Sequence, residues 1–207
     1  MNKPIQYRQQ VSILLLFFAA LAWILPERSR SAHELKPSEM LREMADPGQF
    51  LSPDEAAWIL VNEDTLYRFI DVRSTADFLS VHIPGAINIP FSELMNPDWA
   101  GYLAEPGRTK ILYSNGTVLA AQAWMVCTQK GFGDFKVMDG GLNHWFDKVM
   151  ESEFSGTRIT AADNKIFETR YRARDYFKLM NSLPDSLKKA YLEVKRIQET
   201  ELVGGCE

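Results

Sequence analysis

Cysteine and histidine are scarce in this chain, and their scarcity removes several functions at once. Its 207 residues include two cysteines, Cys127 and Cys206, and three histidines, His33, His82 and His144. The cysteines are too few and too far apart for a disulfide framework, and nothing has the spacing of a zinc site. No metal and no cofactor are expected. Clustered Lys and Arg are also missing, and the net charge is −4. Phosphate neutralisation needs dense positive charge, so nucleic acid is not an expected partner. Finally, there is no Gly-x-Ser-x-Gly elbow of the kind that presents a serine nucleophile.

Only one long apolar run exists, at Val11–Leu25, stopped by Pro26 and preceded by Lys3 and Arg8. It has the shape of an export signal. At ~1.5 Å per residue the run falls short of a ~30 Å hydrocarbon core, although flanking residues can extend it. Cleavage near Ala20-Leu21-Ala22 would free the protein, and without cleavage residues 11–25 would remain as a membrane anchor. Arg28, Arg30 and Lys36 balance the basic residues before the run, so orientation stays open. The expected location is outside the cytoplasm, periplasmic or membrane-anchored.

What is present beyond this segment reads as an α/β domain. Ser52-Pro53-Asp54-Glu55 combines an N-cap serine, a first-turn proline and an N3 glutamate, predicting a helix to about Val61. Tyr67–Val72 reads as a short strand buried on both faces, and Lys110–Tyr113 and Phe135–Met138 read as strands, with a further strand within Ala86–Ile89. Helical turns are expected at Met40–Met44, Ser74–Leu79, Phe91–Met95, Trp99–Leu103 and Leu142–Met150. Alternation of this kind implies a mostly parallel sheet. The expected divisions are 1–32 (signal or anchor with linker), 33–151 (the domain) and 152–207 (a helical extension).

The centre of the chain is Lys110–Lys130. A strand, KILY, passes through the six-residue turn Ser114-Asn115-Gly116-Thr117-Val118-Leu119 into a helix. Such a turn aims backbone N–H groups and the positive end of a helix dipole at its mouth, which makes it a candidate cradle for a small anion.

Phe69-Ile70-Asp71-Val72-Arg73, Asp77-Phe78 and His82-Ile83-Pro84-Gly85-Ala86-Ile87-Asn88-Ile89-Pro90 resemble the entry signature of rhodanese-like domains. Gly140-Gly141-Leu142 with Trp145 resembles their closing signature, and the resemblance spans about residues 39–150. It implies a three-layer α/β/α sandwich with the active loop at the carboxyl end of a central strand. Active relatives open that loop with cysteine, carry arginine near its end and move sulfur as a persulfide, or remove phosphate or arsenate oxygen. Aligned on Ala120-Ala121-Gln122-Ala123, this chain has Ser114 at the cysteine position, Leu119 at the arginine position, and Gly116 one place early. A serine hydroxyl forms no persulfide, and it needs an adjacent base that the loop does not supply.

The expected function is therefore binding or scaffolding by a sulfurtransferase-inactive site, with a small anion or a protein as partner. Asp71, Arg73, His82, Gly85, Gly140 and Gly141 are expected to be structural, and Trp145 to be core. The alternative is an enzyme that moves sulfur or redox equivalents through Cys206, which follows Gly204-Gly205 and is expected to be free; Cys127 lies on an apolar helical stripe and is expected to be inert. Downstream, Glu151–Asn164 reads as a polar linker and Ile166–Met180 as a helix docked through residues 166, 173, 177 and 180. Arg170, Arg172, Arg174 and Lys178 give that helix a basic side. A last helix, opened by Ser182-Leu183-Pro184-Asp185 and running to about Leu202, carries Leu187, Ala190, Tyr191, Val194 and Ile197 as a stripe suited to a partner or a second copy.

Overall fold

The computed structural model describes residues 37–153 and 160–184, with residues 7, 10–12, 14–16, 186 and 187. Most of the apolar run 11–25, the last helix to Leu202, and Cys206 therefore lie outside the described residues. Among the described residues no helix is long and apolar enough to cross a membrane.

Five strands form one sheet: β1 (Phe50–Leu51), β2 (Tyr67–Asp71), β3 (Ile87–Asn88), β4 (Thr109–Tyr113) and β5 (Phe135–Met138), in the order β1-β5-β4-β2-β3. Every pairing is parallel. The two-residue side-chain period divides the core in two. Phe69, Ile111, Tyr113 and Met138 face one layer, whereas Ile70, Leu112, Phe135 and Val137 face the other. This accounts for strands that are apolar throughout.

The first layer is covered by α2 (Pro53–Val61), α6 (Gly141–Trp145) and α7 (Ala161–Ser182); the second by α1 (Pro37–Met44) and α5 (Thr117–Gln129), with α4 (Ala100–Leu103) contributing Leu103. A small helix, α3 (Thr75–Ser80), follows β2. Thus the three-layer sandwich expected from sequence is the observed architecture. The start of α2 carries the full capping box: Ser52 Oγ accepts from Glu55 N, and the Glu55 carboxylate accepts from Ser52 N. Gly131, with φ 73°, takes the left-handed position one residue past the Lys130 C-cap of α5.

Several expectations need correction. Residues 161–164 belong to α7 rather than to a linker, because Thr160 and Asp163 form a second capping box. Ile166 is 43% exposed, so the docked face is Ala173, Phe177 and Met180. The basic side of α7 is divided: Arg170 donates to both Asp54 carboxylate oxygens at 2.6 and 2.7 Å, and Arg174 donates to the Ser152 carbonyl. The helix after Gly141 is α-helical only to Trp145, and Phe146–Met150 is a π turn. Lys110, read as the start of a strand, is buried; its ammonium donates to the Glu105 carbonyl and lies 5.7 Å from the centre of the Phe135 ring.

Phe177 is the main anchor of α7, with ring centres 5.8 Å from Trp145 and 5.7 Å from Phe146. Phe177→Ala is expected to lower stability by about 3–5 kcal/mol in urea unfolding. A loss below about 1 kcal/mol would mean that α7 does not contribute to the core in solution.

Candidate functional site

The carboxyl ends of β2 and β4 meet at a buried ion pair. Asp71 ends β2 with no exposed surface, and Arg73, two residues on, is 6% exposed. Arg73 donates to Asp71 through Nε (3.0 and 3.2 Å), Nη2 (2.6 Å) and its backbone N–H (2.9 Å). Burial works to lower the guanidinium pKa, but the hydrogen bonds and charge of Asp71 outweigh it, and the pKa is raised. Arg73 therefore stays charged. Two further donors serve structure: Nη1 reaches Asn115 Oδ1 at 3.1 Å and Nη2 reaches the Val81 carbonyl at 2.6 Å. Asn88 Nδ2 donates to the carbonyls of both Asp71 and Arg73.

On the other side of the loop, the closing signature is packed against its backbone. Leu142 N donates to Ser114 O at 2.9 Å, and Asn143 N to Asn115 O at 3.0 Å. This approach requires glycine at 141, since a Cβ there would lie 2.3 Å from Ser114 O, and its φ of +55° also disfavours any side chain. Gly140 has φ +67°, and a Cβ would collide with the His144 ring. Gly85, with φ 78°, completes the turn in which Ala86 N donates to Ile83 O.

Between these two supports, the six-residue turn of the sequence reading becomes three residues, Ser114-Asn115-Gly116. Helix α5 begins at Thr117, whose hydroxyl donates to Asp139 Oδ1 (3.1 Å) and accepts from Gly140 N (2.7 Å). That link was not visible in the sequence: Thr117 and Asp139 are 22 residues apart. Val118 and Leu119 accordingly lie in the first helical turn, with Val118 72% exposed. Gly116 has open space around its Cβ position and an extended φ of −136°, so glycine is not required there.

An open cleft of about 640 Å³ lies over this turn. Its floor is 114–119, one wall is formed by Val72, Arg73, Ser74 and Asp77, and the other by Pro90, Phe91 and Ser92. Sequence reasoning found the floor; Val72, Arg73, Asp77 and Pro90 of the walls belong to the entry signature, but that they line a cleft was not read from it, and Ser74, Phe91 and Ser92 were not singled out. The Ser114 hydroxyl is buried and donates to Gly116 O at 2.6 Å. That contact ties the hydroxyl to its own turn. His82 Nδ1–H points at the Phe78 carbonyl (2.7 Å), with the ring stacked on Phe78; His144 Nδ1 lies 3.7 Å from Asp139 Oδ2. The Ser114 hydroxyl donates to Gly116 O rather than to either imidazole, so neither forms a serine–histidine pair with it. Among the described residues, no group of three or more His, Cys, Asp or Glu is placed to hold a metal.

Cys127 is buried in the second layer, on the inner face of α5. Burial pushes its thiol from 9.0 up to about 12. A thiol held neutral in the fold contributes stability below its unfolded pKa, and that contribution is lost as pH rises toward the folded value. The stability gap between parent and Cys127→Ala is therefore expected to shrink by about 1.4 kcal/mol from pH 7 to pH 10, in reducing buffer. A gap that does not change with pH would contradict the buried, neutral thiol.

Comparison with known proteins agrees with this geometry. The family model described as Rhodanese-like domain matches residues 52–148. Centrosomal protein of 41 kDa from Homo sapiens is 31% identical over 105 residues, which are 48% of this chain and 27% of that protein. Centrosomal protein of 41 kDa B from Xenopus laevis is 30% identical over 120 residues, 55% of this chain and 32% of that protein. The chain thus spans about a third or less of these relatives. Among solved structures, the rhodanese-like domain of an Anabaena sp. protein is 20% identical, covering 55% of this chain and 92% of that one with a TM-score of 0.42. A rhodanese-related protein from Thermoplasma volcanium is 22% identical, covering 48% and 92% with a TM-score of 0.40. Residues 52–148, with their parallel sheet, paired signatures and loop at the end of β4, are a rhodanese-like domain.

Proposed function

We propose that this chain is a binding or scaffolding module whose rhodanese-like site does not transfer sulfur. One observation carries the reading: at the position where active relatives have cysteine stands Ser114, with its hydroxyl donating to Gly116 O. Leu119 occupies the arginine position, so the floor of the cleft also lacks that cation. Arg73 stands on the wall rather than the floor and is held by Asp71, Val81 and Asn115, so its guanidinium is not free to take the place of a loop arginine. What the cleft retains is shape, the N-terminal end of α5, and apolar walls from Val72, Pro90 and Phe91. Those features suit a small anion or a protein segment. The basic, then apolar N-terminal sequence supports placing the domain outside the cytoplasm, held at a membrane if residues 11–25 are retained. The stripe from Leu187 to Ile197 supports self-association through the C-terminal helix.

The test is thiocyanate formation from thiosulfate and cyanide, with the parent protein and Cys206→Ser side by side. The expected result is no product above the protein-free background from either. Turnover by the parent would overturn the reading, and its loss in Cys206→Ser would assign the chemistry to that thiol.

A further inference from the structure

One wall of the cleft is weakly built. Val72 and Arg73 at its base are buried, but beyond them it consists of Ser74 and Asp77 at the start of α3, and none of the six residues of α3 is buried. Phe78 and Val81 are only partly buried against the core. The segment is fixed instead by polar contacts at its ends. At the first end, Ser74 caps the helix by accepting from Asp77 N. At the second, Arg73 Nη2 holds the Val81 carbonyl, and a single side chain holds both backbone groups of the next residue. Asn181 Oδ1 accepts from His82 N at 3.1 Å, and Asn181 Nδ2 donates to His82 O at 3.0 Å. The same Nδ2 donates to Phe177 O at 2.9 Å, which fixes the orientation of the amide on its own helix.

Asn181 lies in the last turn of α7, outside the region that matches the family model. Its side chain does for His82 what a neighbouring strand would do, satisfying the donor and the acceptor of one residue together. From there the contacts are continuous to the floor of the cleft: Val81 O to Arg73, and Arg73 to Asn115.

We propose that α7 controls the cleft through this contact: docked, it holds segment 74–82 as a closed wall, and displaced, it lets the wall open. Segments with few buried apolar contacts open locally at low free energy, so two hydrogen bonds are a large share of what restrains this one. The coupling is reciprocal. Whatever fills the closed cleft favours docked α7, and whatever pulls on α7 weakens binding in the cleft. A partner of the C-terminal extension would thereby regulate a site that it does not touch.

Hydrogen exchange on the full chain tests this, comparing the parent, Asn181→Ala and Arg170→Ala. Arg170→Ala removes the Asp54 contact of the same helix but does not touch His82. Asn181→Ala is expected to speed exchange of amides 75–82 about tenfold, the scale of a lost pair of modest hydrogen bonds, while β4 and β5 keep their parental rates. Arg170→Ala is expected to leave amides 75–82 unchanged. Parental rates at 75–82 in Asn181→Ala, or equal acceleration in both variants, would overturn the proposal. If Asn181→Ala does not fold, Asn181→Asp keeps the acceptor for His82 N but loses the donor to His82 O and Phe177 O and sets a carboxylate oxygen against both carbonyls. It is expected to accelerate exchange at 75–82 with β4 and β5 at parental rates, and parental rates at 75–82 would again overturn the proposal. The result is independent of sulfur transfer, so this coupling and the inactive-site reading can fail separately.

Discussion

The buried carboxylate of Asp71 faces the guanidinium of Arg73, and the geometry of the site depends on that pair. Both groups lose their hydration on folding, a cost their mutual attraction does not reliably exceed, so the pair need not add net stability. Its value lies in what it fixes. With three donors turned back to Asp71, Arg73 has one direction left for Asn115 and one for the Val81 carbonyl. The end of β2, the start of the active turn and the far end of α3 are thereby held by one planar cation. Removing either member would leave a buried charge unpaired, which is far more costly than never having built the pair.

The other side of the site is held by close approach of backbone. Gly141 lets Leu142 N and Asn143 N reach the carbonyls of Ser114 and Asn115, and Thr117 bridges Asp139 to Gly140 N. Tyr113, fully buried immediately before the turn, accepts from Ile83 N, and burial raises its pKa well above the ordinary value. It stays neutral and serves as a fixed acceptor. The turn is thus held from both sides by groups outside it, and the Ser114 hydroxyl adds one bond within it, to Gly116 O. On the function proposed above, these supports are what keep the cleft in shape with serine in place of cysteine.

Much of this was legible in the sequence because it rests on local signals. The capping box at Ser52 and Glu55 and the glycines at 131 and 140 each carry their structural reason within a few residues, whereas Gly141 is required by the distant backbone of Ser114. Of the contacts that hold the walls of the cleft, Asp71–Arg73 and the Ser74 cap are local, but those to Asn115 and Asn181 are long-range and have no local signal. Asn181 and His82 are 99 residues apart, and nothing in a helix rich in Arg, Tyr and Lys marks one asparagine as a clamp. The early start of α7 was missed for a different reason: Thr160 and Asp163 form a capping box, but the alanines and polar residues after them lack an apolar period. Lys110 was read within its strand, but the reach of its stem to the Glu105 carbonyl has no signal in the sequence.

The central claim is that the site is retained in shape and emptied of sulfur chemistry. Kinetics report only turnover, so the most direct measurement is a persulfide that forms and stays. Cys206→Ser leaves Cys127 as the sole thiol in the chain. Intact-mass analysis after incubating this variant with thiosulfate or polysulfide, without reductant, should show unchanged mass, because Cys127 is buried with its pKa pushed up to about 12 and Ser114 forms no persulfide. A mass increase of one sulfur atom on the native protein, traced by proteolysis to residues 110–130, would contradict the account.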